Sequence, residues 1–251
     1  MSTENEQPVR LSCITRITSQ DYWLTLCGMW QGPTEINPTF TLVKPTCTGR
    51  RPDEAGIAED FTHVLTNIRK LTGLLQLKDK SIRKGLLTDW TTPEPKIKFR
   101  HTLFTVSWNN LTFHTTKLTW TKLRSHDEDD DENNDANNLG VEFTLEQWPA
   151  HFDAGRKAIL ELELMNTHKL NVIPAYDINS EIIKPKEYWG KLEGALVRTE
   201  FHMNYWRVKG KDFFAADIQA MRVLEKPRAS GTKRKALSVA DPGPSKKMKK
   251  G

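Results

Sequence analysis

Alternation of apolar and polar residues sets the character of this chain. Across residues 194–206, Val197, Thr199, Phe201, Met203 and Tyr205 fall on one side of an extended strand, and Arg198, Glu200, His202, Asn204 and Trp206 fall on the other. Residues 212–224 are again extended, and Lys209-Gly210-Lys211 joins the two runs as the turn of a hairpin. Residues 97–108 and 111–120, separated by Asn109-Asn110, predict a second hairpin. Its apolar positions change parity midway, from Phe99 and Leu103 to Phe104, Val106 and Trp108, which predicts a bulge or burial on both faces. Residues 22–30 and 40–43 predict a first hairpin, and 141–145 a further strand. Leu160, Leu162 and Leu164, alternating with Glu161 and Glu163, predict a strand with one buried face, which 170–173 would continue. The period changes only over 54–77. There Phe61, Val64, Leu65, Ile68, Leu71 and Leu75 recur at spacings of three and four, predicting an amphipathic helix. About eight short extended segments and one clear helix make a mainly antiparallel β protein with one or two helices.

Charge divides the chain further. From Lys226 to Gly251 there are nine Lys or Arg residues and one acid, Asp241, whereas residues 126–138 carry seven acids and no base other than His126. Neither block has apolar residues spaced to bury anything, so both are expected to be disordered. The body between them is only mildly basic, so the net charge of +5 does not by itself argue for nucleic acid. Within the tail, Lys233, Arg234 and Lys235 are separated by ten residues from Lys246, Lys247, Lys249 and Lys250. Two basic clusters with a flexible spacer have the form of a bipartite nuclear localisation signal, which implies an import receptor as partner and the nucleus as location.

Several function classes find no support. The sequence has no glycine-rich phosphate loop, no metalloprotease helix motif and no nucleophile elbow, and its seven histidines show no metal-ligand spacing. No cofactor, metal site or catalytic residue is therefore expected. Cys13, Cys27 and Cys47 are an odd set without a CxxC pair and read as small buried thiols. No run of about 20 apolar residues occurs, and the start of the chain is polar, so a soluble intracellular protein without a membrane partner is expected.

The polar side of the C-terminal hairpin carries the candidate chemistry. Arg198, His202 and Trp206, with Arg207, Lys209 and Lys211 beside the turn, combine cationic and aromatic groups. Unpaired bases stack on aromatic faces while Lys and Arg neutralise phosphates, so this mixture suits single-stranded DNA or RNA. Trp108, Phe113, Lys117, Trp120 and Lys122 could extend the surface from neighbouring strands. The opposing reading is that most of the eight tryptophans fill the core.

Residues 173–224 carry the pattern Ile173-Pro174, Asp177, Asn179, Pro185, Tyr188, Gly194, Val197-Arg198, Tyr205-Trp206, Phe213-Phe214, Asp217 and Arg222-Val223-Leu224. This stretch resembles an uncharacterised family of mushroom-type fungi, whose members also tend to end in a basic tail. In the order of its Pro, Asp, Gly, Tyr, Val-Arg and aromatic positions, it is similar to the last two barrel strands of phage-type single-stranded-DNA-binding proteins with an OB-fold. That resemblance implies an OB-fold-like antiparallel Greek-key barrel with insertions and a groove for an unpaired strand. The domain boundaries expected on this basis are a flexible N-terminus at 1–15 and one β-barrel domain at 16–225. The domain would hold a helical insertion near 54–77 and an acidic disordered loop at 125–138, and a disordered basic tail would follow at 226–251. The phage proteins end in an acidic tail that competes for the groove; here the internal block 126–135 would take that place. The resulting expectation is a non-enzymatic nuclear protein that binds single-stranded nucleic acid with low sequence specificity. The alternative is a nuclear protein-interaction or assembly module whose tail serves only import, with homo-oligomerisation open in either case.

Overall fold

The computed structural model describes residues 9–35, 37–75, 83–88, 91–106, 139–145, 148, 152–165 and 168–228. In chain order the strands are β1 (Arg10–Ile17), β2 (Thr46–Arg50), β3 (Arg83–Gly85), β4 (Leu87–Thr88), β5 (Lys96–Arg100), β6 (Phe104–Val106), β7 (His168–Leu170), β8 (Ala175–Tyr176), β9 (Leu196–Val208) and β10 (Lys211–Glu225). Helix α1 (Ala55–Leu74) lies between β2 and β3, α2 (Asp153–Met165) precedes β7, and α3 (Tyr188–Leu192) precedes β9.

Five of these strands close on themselves. Strand β1 pairs antiparallel with β2 and β9, β9 with β10, and β2 with β5, while β5 meets β10 in parallel at Phe99–Ala216 and Arg100–Asp217. The circuit β1-β2-β5-β10-β9-β1 is the strand order of an OB-fold barrel. The sheet is therefore mixed rather than wholly antiparallel. The free edge of β10 is taken in turn by β3, β5 and β8, all parallel to it. A short ribbon of β6 and β7 stands apart.

The barrel interior follows the alternation of its strands. Cys13, Ile17, Cys47, Ile97, Phe99, Val197, Phe201, Phe214 and Ala216 are buried there, and the rings of Phe99 and Phe201 meet edge to face at 5.6 Å. Burying the Val, Ile and Phe side chains among them stabilises by about 1.5–3 kcal/mol each. Strands β1 and β2 approach closely: a Cβ on Gly49 would overlap the Thr15 side chain. All three cysteines are buried, and burial raises the thiol pKa of Cys13 to about 12.

An ionic knot closes one end of the barrel. The side chain of Arg16 is only 3% exposed; it pairs with Glu54 and with Glu225 at 3.4 Å, and donates to the Gly194 carbonyl at 3.1 Å. Arg50 grips Asp53 through two bonds of 2.8 and 2.9 Å. Arg228 pairs with Glu54, with Glu225 at 2.9 Å and with Asp53 at 3.5 Å. Three cations and three anions thus tie β1, the start of α1 and the residues after β10 together.

Several elements differ from the sequence reading. Residues 153–165, read partly as a strand, form α2. The Leu/Glu alternation is short, its residues are strong helix formers, Asp153 sits in the first turn, and Ala158 and Ile159 supply the buried face. Gly155 lets this helix approach the Cys27 thiol, where a Cβ would collide. Residues 22–30 and 40–43 form no hairpin. Their apolar side chains, among them Tyr22, Leu24, Leu26 and Phe40, are buried on turns and a 3-10 helix at Phe40–Leu42, and Trp23 meets β2 through one bridge to Thr46. Residues 141–143 form a 3-10 turn rather than a strand. Strand β1 begins at Arg10, inside the segment expected to be flexible. The parity change in 97–108 is a break between β5 and β6 at residues 101–103. The described residues hold three helices in place of one or two.

Candidate nucleic-acid interface

The β9–β10 ribbon is built by the alternation that predicted it, and its turn is the tight one that a right-twisted hairpin favours. Lys209 and Gly210, the two central residues, have positive φ of 48° and 73°. Toward this tip the ribbon projects, so both of its faces become accessible: Trp206, Arg207, Val208, Lys209 and Lys211 are all exposed.

On the outward face Trp206 stands directly across from Phe213, and their rings stack at 5.8 Å with planes 10° apart. The Arg100 guanidinium, arriving from β5, lies over the indole at 4.8 Å from its centroid. The pairing of β5 with β10 delivers it there. Arg100 and Asp217 are register partners, and Asp217 accepts from Arg100 Nε, from its second terminal nitrogen at 3.3 Å, and from the Asn204 amide. Phe213, Trp206 and Arg100 thus form a column fixed by one carboxylate. Trp206 remains 36% exposed, and Arg100 about a fifth. A cation stacked on an exposed indole contributes about 0.5–1 kcal/mol, and the aromatic pair about 0.5–1.5 kcal/mol, so the column is held before any ligand arrives.

A further cation borders the column. Lys44, just ahead of β2, is half-buried; burial and then the Arg100 charge push its ammonium below the ordinary lysine pKa, while Asp217 pulls it back. Two cations crowd around one carboxylate, which is the local imbalance an added anion relieves. Arg100 stands on the third barrel strand and Lys44 in the loop between the first two, positions that OB-folds use for oligonucleotides, whereas Trp206 and Phe213 stand on the fourth and fifth strands beside the loop that joins them.

Further along the same face lies a second cluster. Arg198 on β9 is 52% exposed and stands directly opposite Arg222 on β10. Arg222 lies over the Tyr176 ring at 4.8 Å, a contact supplied by the pairing of β8 with β10. Glu200 is shared between Arg10 at 3.4 Å and Arg198 at 3.7 Å. A register shift between Ile218 and Ala220 turns the phase of β10. Asp217 and Arg222, five residues apart, therefore both face outward while Met221 is buried.

The sequence-predicted residues are distributed as follows. Arg198, His202 and Trp206 share the outward face, with His202 half-buried between Arg10 and Asp217 in the register. Lys209 and Lys211 flank the tip. Arg207 belongs to the opposite face: it pairs with Asp212 at 3.7 Å, and that carboxylate, 2% exposed, also accepts from the Tyr205 hydroxyl at 3.1 Å. Arg207 is thus partly neutralised and turned away from Trp206, a correction to its grouping with the other cations. Trp108, Phe113, Lys117, Trp120 and Lys122 lie outside the described residues, as do Lys233, Arg234, Lys235, Lys246, Lys247, Lys249, Lys250 and the acidic block. The structure adds Arg100, Phe213, Lys44, Tyr176, Arg222 and Arg10. Alternation around Ile97 and Phe99 marks Arg100 as outward-facing, but only barrel closure brings it to Trp206. Among the described residues no three His, Cys, Asp or Glu side chains converge as metal ligands would.

No family model matches the chain, and no curated protein matches it. The resemblance of residues 173–224 to a fungal family accordingly has no sequence support. Solved structures of similar chain course include gp2.5, the single-stranded DNA-binding protein encoded by bacteriophage T7, with a TM-score of 0.46 at 6% identity, covering 90% of this chain and 97% of that one. Another is the single-stranded DNA-binding protein from bacteriophage Enc34 in complex with single-stranded DNA, with a TM-score of 0.42 at 10% identity, covering 90% and 98%. The strand pairings described above, rather than these distant likenesses, define the barrel.

Proposed function

We propose that this chain binds single-stranded nucleic acid on the outer face of its β9–β10 ribbon, without catalysing a reaction and with low sequence specificity. The observation that carries the reading is the column of Phe213, Trp206 and Arg100 bordered by Lys44. It sets a partly exposed indole and a guanidinium plane beside two cations that share one carboxylate, next to the loop joining the last two barrel strands, a loop that OB-folds use for oligonucleotides. Bases stack against the column, and Lys44, Lys209 and Lys211 hold phosphates. Every base has a π-face, so this mode tolerates sequence. The bipartite basic segment from Lys233 to Lys250 supports nuclear import through a receptor, and hence a nuclear setting.

The test is a titration of intrinsic tryptophan fluorescence with oligothymidylate and oligouridylate. The basic tail would attract any polyanion, so the titration is repeated on a chain ending at Ser230, which keeps Arg228 in its ion pairs. Quenching in both chains, with affinity falling log-linearly as salt rises, supports the reading. If the shortened chain shows neither quenching nor binding at about 50 mM salt, the reading fails and a protein-interaction module takes its place.

A further inference from the structure

Two guanidinium-on-ring contacts of the same geometry, Arg100 over Trp206 and Arg222 over Tyr176, lie on one face of one ribbon. Trp206 and Arg198, the latter opposite Arg222, are eight residues apart on β9, or about 26 Å at roughly 3.3 Å per residue.

The second cluster has no evident structural purpose. Like charges placed directly opposite one another in a sheet destabilise it, yet Arg198 and Arg222 are such a pair, with Arg10 close by and Glu200 divided between Arg10 and Arg198. Among the described residues no carboxylate pairs with Arg222, whose place is fixed by the Tyr176 ring. The register shift near Gln219 is what aims Arg222 outward. With unbroken alternation from Asp217, Met221 would face out and Arg222 would enter the barrel. The local geometry thus presents an excess of cations to solvent. The stacked guanidinium plane also gives the cluster a surface for bases, which an acidic peptide would not use.

We infer that Arg10, Arg198, Arg222 and Tyr176 form a second contact for the same bound strand, which runs lengthwise along the ribbon from the Trp206 column rather than crossing the barrel there and leaving. This rests on the proposed function and gives it a footprint. At about 3.4 Å per stacked nucleotide the separation of the clusters corresponds to roughly eight nucleotides, within the range of about 4–16 known for one OB-fold. An oligonucleotide of about four residues reaches only one cluster; one of about twelve reaches both.

The experiment compares the full chain with R198A/R222A, Y176A and W206A, using fluorescently labelled oligothymidylate of about four and about twelve nucleotides over a range of salt. The basic tail is common to every protein compared, so it cancels in the differences. R198A/R222A is expected to bind the short oligonucleotide as the parent does and to lose affinity for the long one. Its salt slope on the long one should fall by about 1.4, at about 0.7 for each lost phosphate contact. Y176A should weaken the long complex alone, and Y176F, which keeps the ring, should restore it. R198A/R222A should leave thermal unfolding unchanged, whereas W206A and Y176A, which give up ring contacts, should lower it modestly. If R198A/R222A leaves the long complex and its slope intact while W206A weakens binding, the second contact is overturned and the column stands. The same holds if short and long complexes weaken equally, or if polyglutamate displaces the long oligonucleotide as well as unlabelled oligonucleotide does. If W206A changes neither complex, the proposed function itself fails.

Discussion

Replacing Trp206 by alanine separates the two forces assigned to the interface. The indole stacks on Phe213 at 5.8 Å, lies under Arg100 at 4.8 Å and belongs to no part of the barrel interior. Its removal therefore costs the fold only the aromatic pair and the exposed cation contact, together about 1–2.5 kcal/mol. Binding loses one stacked base, about 1–3 kcal/mol by comparable substitutions, which is roughly a fivefold to 150-fold rise in Kd. Stacking releases no counterions, so the plot of log affinity against log salt should move down in parallel, with its slope unchanged. Removing Lys209 or Lys211 should do the opposite. Each loss lowers the slope by about 0.7 and brings the lines together at high salt, where phosphate contacts contribute little. Fluorescence anisotropy of a labelled oligothymidylate measures both without relying on the deleted fluorophore. A W206F variant should recover most of the lost affinity. The reasoning is refuted if W206A changes the slope by as much as a lysine variant does, or if its affinity stays within about twofold of the parent at every salt concentration.

Arg207→Ala should weaken binding less than Lys211→Ala does in the same anisotropy assay, because Asp212 already neutralises Arg207 on the other face of the ribbon. Stability should fall as pH drops below about 6.5, the unfolded histidine value, by up to about 1.4 kcal/mol per pH unit. Burial lowers the pKa of His101 against the opposing pull of the Asn171 and Ile218 carbonyls and of Asp217, so the unfolded chain takes up the proton first. Urea unfolding between pH 8 and 5 should show this, and His101→Gln should flatten it. The paired carboxylates Asp53, Glu54, Glu142 and Asp177, whose pKa values are lowered, lose their stabilising effect only in more acidic solution, below about pH 4. Arg16→Met should destabilise toward the lower end of about 3–5 kcal/mol in the same assay, since Arg228 and Arg50 still face the three acids it leaves.

The ribbon could be read from the sequence because its two faces differ chemically over thirteen residues, and Val197, Thr199 and Phe201 do face the core. Helix α1 could be read for a similar reason: Phe61, Leu65 and Ile68 repeat at its period and are buried. Strand β2 could not. Its sequence, Thr-Cys-Thr-Gly-Arg, has little apolar character, because a small barrel admits small side chains where strands crowd, as Gly49 does against Thr15. Helix α2 was misread because a short Leu/Glu alternation satisfies a strand pattern and a helical one alike. Half of the candidate site was hidden for a different reason. Arg100, Lys44 and Tyr176 come from segments remote in sequence, and only barrel closure and the β8 pairing deliver them to β9 and β10. The phase change that exposes Arg222 is a single extra residue within β10, which no periodicity could locate in advance.

The barrel is zipped shut between β5 and β10 at only two residue pairs, and one of them, Arg100 with Asp217, is also the base of the stacking column. A guest seated on the column would therefore rest across one of the two shortest joints of the wall, β1 with β2 being the other, and act as a brace. Amide protons near Phe99 and Ala216 should exchange more slowly in its presence, which would make the tightness of the whole cylinder a reporter of occupancy.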